Sequence, residues 1–174
     1  MKDLGLIQVY TGNGKGKTTA SLGLAFRACG HGFKTCMIQF MKECVDYGEV
    51  KAAHYLPGFE VVQVGRNDFV DLDNPAPVDV KLARDGWEKA KEIIDSGRYD
   101  IVILDEINVA MACGLLDPAA VAAFLTAAKR PVELILTGRY APSAIIAVAH
   151  LVTEMQEIKH PYQNGVPARQ GIDY

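Results

Sequence analysis

The sequence predicts an α/β fold in which a mostly parallel sheet of about five to six strands carries helices on both faces. Three observations predict it. Short apolar runs alternate with helical stretches from end to end, which is the order of successive βαβ units. The run Lys34–Phe40 is mostly apolar and Ile101–Leu104 wholly so, as strands buried on both faces should be. The glycine-rich stretch Tyr10–Thr19 lies between the first strand run and the first helical stretch. In such folds ligands sit at the carboxyl ends of strands.

The elements follow in order. Leu6–Tyr10 reads as the first strand. A helix runs from Lys17 to Cys29, with Leu22, Ala25, Phe26 and Cys29 on one face, and Gly30 and Gly32 end it. Lys34–Phe40 is the second strand and Met41–Gly48 a polar loop at its carboxyl end. The short helix Glu49–Leu56 stops at Pro57-Gly58, and Phe59–Val64 is the third strand. Gly65–Pro77 reads as a long loop, uncommon in a compact domain unless it binds something or moves. Val78–Ser96 is a helix with Val80, Ala83, Trp87, Ala90 and Ile94 on one stripe, which makes Trp87 a core residue. Ile101–Asp105 is the fourth strand, and the short helix Ile107–Cys113 ends at Gly114. Asp117-Pro118 supplies an N-cap and a proline at the first helical position of a helix reaching Lys129. Val132–Leu136 is the fifth strand, Pro142–Ala149 a helix and Leu151–Ile158 a sixth strand. From Lys159 onward Pro161, Gly165, Pro167 and Gly171 mark an irregular tail. No repeat or linker divides residues 1–174, so one nucleotide-binding domain is expected.

Composition narrows the class. Apolar residues make up 49% and charged residues 22%, the globular range. The net charge of −3 gives no basic bias toward nucleic acid. No apolar run approaches the roughly 18 residues that a membrane span requires. Cys29, Cys36, Cys44 and Cys113 have no C-x-x-C spacing and read as free thiols in a reducing compartment. With no signal peptide at the N-terminus, a cytoplasmic location is expected.

The chemistry gathers at the predicted strand ends. In Thr11-Gly12-Asn13-Gly14-Lys15-Gly16-Lys17-Thr18-Thr19 the glycines let backbone N–H groups turn inward as an anion nest. The start of the following helix favours the same negative charge. Lys17 adds an ammonium beside the outer phosphates, Thr18 a hydroxyl for Mg²⁺, and Lys15 a further charge within the loop. The common phosphate loop has its first glycine where this chain has Thr11, so a tighter loop is expected. Asp105-Glu106 ends the fourth strand, where an acid faces the Mg²⁺ held by Thr18. The competing role for that pair is an N-cap for the helix at Ile107. Arg139 ends the fifth strand and reads equally as a phosphate partner or a surface residue, as does Arg27 in the first helix. His31, His54, His150 and His160 have no metal-ligand spacing. The N-K-x-D motif of regulatory GTPases is missing from the sequence. Loop and acid pair together suit a P-loop NTPase-like (RecA-like) three-layer sandwich, with small-molecule kinases and motor ATPases both open on those residues.

The whole chain resembles the ATP:corrinoid adenosyltransferases of the cob(I)yrinic acid a,c-diamide or cob(I)alamin type. The likeness runs through Val9–Thr19, Gly48-Glu49-Val50-Lys51, Val102–Asn108, Leu136-Thr137-Gly138-Arg139, Leu151–Met155, Lys159-His160-Pro161 and Gly171-Ile172-Asp173-Tyr174. It implies that Co(I) of a corrinoid attacks the 5′ carbon of ATP and that triphosphate leaves whole. It implies ATP and Mg²⁺, with Lys17, Thr18 and Glu106 as catalytic residues and Thr18, Asp105 and Glu106 toward the metal. Thr11–Thr19, Arg27, Arg139 and Phe69 are the binding residues on this reading. A homodimer and a flavoprotein reductant are the partners it implies. Where the family often has Phe-Thr-Trp in the loop after the third strand, this chain reads Asn67-Asp68-Phe69-Val70-Asp71, and Phe69 stands for the phenylalanine. The loop Met41–Tyr47 lacks the family's usual Gly-Gly-Trp. The alternatives are a P-loop small-molecule kinase or ATPase and a non-catalytic corrinoid- or nucleotide-binding paralogue.

Overall fold

Six apolar runs become six strands: β1 (Ile7–Thr11), β2 (Thr35–Phe40), β3 (Phe59–Val64), β4 (Ile101–Asp105), β5 (Glu133–Thr137) and β6 (Leu151–Glu154). They form one sheet, ordered β3-β2-β4-β5-β1-β6, and every pairing is parallel. The computed structural model describes residues 3–68, 70–127 and 131–174. Its helices are α1 (Lys17–Cys29), α2 (Gly48–Ala53), α3 (Pro77–Asp95), α4 (Ile107–Ala112), α5 (Pro118–Thr126) and α6 (Ser143–Val148), with a 3₁₀ turn at Pro161–Asn164.

Alternation along the strands divides the core into two. Ile101 and Ile103 of β4 face one way and meet Ala25 and Ala28 of α1, with Ala53 of α2 at the edge. Val102 and Leu104 face the other way and meet Trp87, Ala90 and Ile94 of α3, Ile107 and Ala110 of α4, Val121 of α5 and Ile145 of α6. The three layers are therefore α1 and α2, the sheet, and α3 to α6. Trp87 is core as expected, with its ring edge-on to Phe124 at 5.3 Å. Asp117 caps α5 by accepting from the Ala119 N–H at 3.0 Å. The predicted end of that helix at Lys129 lies outside the described residues.

Most boundaries fall within a residue or two of expectation; α2 ends at Ala53, three residues short of Leu56, and the last strand departs further. The sixth strand is half its expected length. After Glu154 the Met155 N–H still donates to the Thr11 carbonyl, at 2.8 Å. The Met155 carbonyl then accepts from the Gly14 N–H at 2.6 Å, so the chain leaves the sheet and crosses the glycine loop. Ile158, expected as the last residue of that strand, is 94% exposed.

The long loop 65–76 is anchored at both ends. Arg66 donates to both Asp79 carboxylate oxygens, at 2.7 and 3.1 Å, and Asp79 accepts from the Ala76 N–H. This fork holds the Asp79 carboxyl below its usual range. In β2, burial pushes the Cys36 thiol up to about 12. Cys36 is therefore expected to resist a thiol-specific chromogenic reagent in the folded protein and to react on denaturation. Labelling of Cys36 in native protein as fast as that of Cys44 would contradict this packing.

Candidate functional site

The site lies along the carboxyl ends of the strands. Among the described residues, the non-glycine residues with positive φ are Met41, Glu106 and Tyr140, at 58°, 62° and 60°. Each follows shortly after a strand, β2, β4 or β5, and each bends the chain sharply over the same rim. Such strain concentrates where a binding surface is being shaped.

β1 feeds the glycine loop and α1 leaves it. Gly16 occupies the N-cap of α1 at φ 118°, a conformation only glycine adopts without strain, and no side chain caps the helix. The first N–H groups of α1 have no intrahelical acceptor and face the cavity end of the helix. Asn13 to Thr19 line a cavity of about 400 Å³ together with Glu106, Arg139 and the tail residues His160–Tyr162 and Val166–Arg169. Lys17 is buried, its Nζ donating to the Gly14 carbonyl at 2.7 Å. Burial lowers its pKa, while the charge of Glu106 acts to raise it.

Asp105 is fully buried behind Thr18 and is the hub of a polar network. Its Oδ1 accepts from the Thr18 hydroxyl at 2.8 Å and from the Thr137 hydroxyl at 2.7 Å. Its Oδ2 accepts from Lys42 Nζ at 2.8 Å and from Gln39 Nε2 at 3.4 Å. The Thr137 hydroxyl accepts in turn from the Glu106 N–H at 3.0 Å. Burial works to lower the Lys42 pKa, but the adjacent Asp105 holds it above its usual value. Glu106 sits at the N-cap of α4, yet its side chain makes no cap hydrogen bond. Its carboxylate is free to face the cavity, and burial, with the neighbouring Asp105 charge, raises its pKa. The Thr18 hydroxyl and the Glu106 carboxylate are hard oxygen donors, and with phosphate oxygens and water they suit Mg²⁺.

A second cavity of about 270 Å³ adjoins the first. Phe40–Cys44, Arg66–Asp68, Val70 and Leu72 surround it, and Glu106 lines it too. Glu106 is thus shared by the phosphate-loop cavity and its neighbour. A third, open groove of about 660 Å³ runs between Thr18–Phe26 of α1, residues of α2 and the tail at Gly171–Tyr174.

The structure brings Asn13, Gly14, Lys15, Gly16, Lys17, Thr18, Thr19, Glu106 and Arg139 to one cavity, with Asp105 behind them. Thr11 is turned away from it, its hydroxyl accepting from the Ala141 N–H at 3.2 Å. Gly12 lies under Met155, and the Gly14 N–H is committed to Met155 rather than to the nest. Arg27 is not brought to the loop, because α1 runs away from it. Ten residues of helix place Arg27 about 15 Å along the axis from Lys17, exposed in the last turn. Phe69 lies outside the described residues. Lys15 is partly exposed and meets the tail, donating to Asp173 at 2.5 Å and to the Ile172 carbonyl at 3.1 Å. The sequence pattern places Thr137 and the loop carrying Lys42 at strand ends of the shared site but gives neither a role of its own, and it gives none to Gln39 or the tail. A polar residue at the end of an otherwise apolar strand run was the available signal for Gln39.

The family model for ATP:corrinoid adenosyltransferase BtuR/CobO/CobP matches residues 3–174. A corrinoid adenosyltransferase of Sinorhizobium sp is 40% identical over 173 residues, covering 98% of this chain and 80% of the relative. One of Escherichia coli K12 is 36% identical over 170 residues, covering 98% and 86%. Among solved structures, the flagellar accessory protein FlaH of Methanocaldococcus jannaschii superposes with a TM-score of 0.56 at 15% identity. That match covers 86% of this chain and 70% of FlaH and shows a shared fold alone. The fold is that of a P-loop NTPase-like, RecA-like α/β sandwich.

Proposed function

This chain belongs to the ATP:corrinoid adenosyltransferase family, and we propose that its two adjoining cavities align the 5′ carbon of ATP with Co(I) of a corrinoid. It is a transferase whose substrates are ATP and a corrinoid. The observation that carries the division of labour is that Glu106 lines both cavities. Triphosphate occupies the loop cavity, the corrinoid covers the cavity lined by residues 40–44, 66–68, 70 and 72, and the reacting carbon lies at their common rim.

On this reading the electron pair of Co(I) forms the Co–C bond while the bond from the 5′ carbon to the bridging oxygen breaks. The oxygen keeps that pair and leaves with triphosphate. Charge therefore grows on the leaving group, beside the open N–H groups of α1, the Lys17 ammonium and the Arg139 guanidinium. Bound Mg²⁺ would add electrostatic stabilisation of the same oxygens. Thr18 and Glu106 are the residues that would hold it. Asp105, whose oxygens are already taken by four donors, acts through Thr18. No protein nucleophile is required, so the work of the chain is alignment and exclusion of water.

The same reading carries a homodimer, a flavoprotein reductant and a cytoplasmic location. Among the described residues no helix is long and apolar enough to cross a membrane. The test mixes chemically reduced corrinoid with MgATP, with and without protein, and follows the corrinoid absorbance. Adenosylcorrinoid with one triphosphate per turnover is expected. ADP formed without any corrinoid product would instead support phosphate transfer, and tight binding without turnover a sensor.

A further inference from the structure

We propose that Lys42 is a positioning residue for the phosphate site, pinning Asp105 so that this carboxylate holds the Thr18 hydroxyl toward the cation. The inference rests on the reading that Mg²⁺ and triphosphate occupy the loop cavity.

Lys42 does not line that cavity. It stands in the loop after β2, and Met41 before it takes a left-handed turn, with its N–H donating to the Val64 carbonyl at 2.9 Å. That turn directs the Lys42 side chain back across the strand ends to Asp105 Oδ2, at 2.8 Å. The two hydroxyls that Asp105 accepts reach its other oxygen, Oδ1. Lys42 and Thr18 therefore hold opposite oxygens of one wholly buried carboxylate. With the lysine gone, Oδ2 would keep only the 3.4 Å bond from Gln39, leaving the carboxylate held at one oxygen by the two hydroxyls and little at the other.

The loop carrying Lys42 is itself tied down. The Cys44 N–H donates to Gln63 Oε1 at 2.9 Å, and Gln63 Nε2 donates to Gln39 Oε1 at 3.0 Å. Gln39 Nε2 also donates to Glu49 Oε1 at 2.8 Å. A chain of carboxamides thus fixes the root of the lysine to the strand that faces Asp105. Groups that orient ligating residues from behind commonly contribute about 10–100-fold to metal affinity.

The test is calorimetric titration with ATP, once with Mg²⁺ and once with a chelator. It compares the wild type, Lys42→Met, Asp105→Asn and the double variant. Lys42→Met is expected to weaken MgATP binding about tenfold and to leave metal-free ATP within about twofold. The double variant is expected to bind MgATP no more weakly than Asp105→Asn alone. Equal losses with and without metal would overturn the proposal and make Lys42 a direct phosphate contact. Unchanged binding in both titrations would also overturn it. Where Lys42→Met does not fold, Lys42→Gln carries the same comparison. These readouts need no corrinoid. A wild type that binds MgATP but transfers no adenosyl group would sink the proposed activity and leave this inference standing.

Discussion

Lys17→Ala is expected to slow adenosyl transfer about 10²–10³-fold at saturating ATP, equivalent to about 2.7–4 kcal/mol of transition-state stabilisation. The buried Nζ rests on the Gly14 carbonyl at 2.7 Å, inside the loop it serves. A carbonyl is a weak partner for an ammonium, so a triphosphate oxygen that gains charge as its bond to carbon breaks displaces it readily. Burial makes that interaction strong, because little water screens it. Lys15→Ala is the control. Lys15 is 44% exposed and paired with Asp173, so its loss should change the rate only a few-fold, about what a screened surface pair contributes. Single-turnover formation of the Co–C bond measures both. A rise in KM with kcat unchanged would assign Lys17 to ground-state binding instead. Unchanged turnover would remove it from the mechanism.

The contrast between these two lysines shows what the sequence could carry. Both stand in one glycine loop, and local pattern placed both beside phosphate. What separates them is the tail, which returns from residue 155 to occupy Lys15 and cover the loop. Elements written in contiguous residues were readable. β3 and β4 appear with their expected bounds because each is a short apolar run closed by loop residues. The position of the Asp105-Glu106 pair at a strand end was readable for the same reason, since the acids close an apolar run. The pair's division was not, because it depends on Lys42, Gln39 and Thr137, which arrive from two other strands. Nor could the end of β6 be read. Leu151–Ile158 carries apolar residues throughout its length, but β1, the strand it pairs with, ends at Thr11. Beyond that residue the chain has only the glycine loop to bond with. Arg27 shows the opposite error, a charge near the loop in sequence that helical rise carries away from it.

Gly12→Ala is expected to destabilise the protein by about 2–5 kcal/mol and to weaken ATP binding with it. About 1–2 kcal/mol comes from placing a side chain at φ 92°. A further 1–3 kcal/mol or so comes from overpacking. The added Cβ would collide with the Met155 carbonyl oxygen and lie 2.8 Å from the Met155 nitrogen, both backbone atoms that cannot rotate away. Relief requires the 155–156 segment to lift, which breaks the Gly14–Met155 hydrogen bond and frees the covering tail. Gly32→Ala separates the two contributions, for Gly32 has φ 74° and nothing within 4 Å of an added Cβ. It should show the backbone cost alone. At about 2–4 °C per kcal/mol for a chain of this size, Gly12→Ala should melt several degrees below Gly32→Ala. Hydrogen exchange should then find the Gly14 amide protected in Gly32→Ala and exposed in Gly12→Ala. Equal melting temperatures with Gly14 protected in both would mean that the tail does not press on the loop. The glycines would then serve the phosphate nest alone, as the sequence pattern by itself suggests.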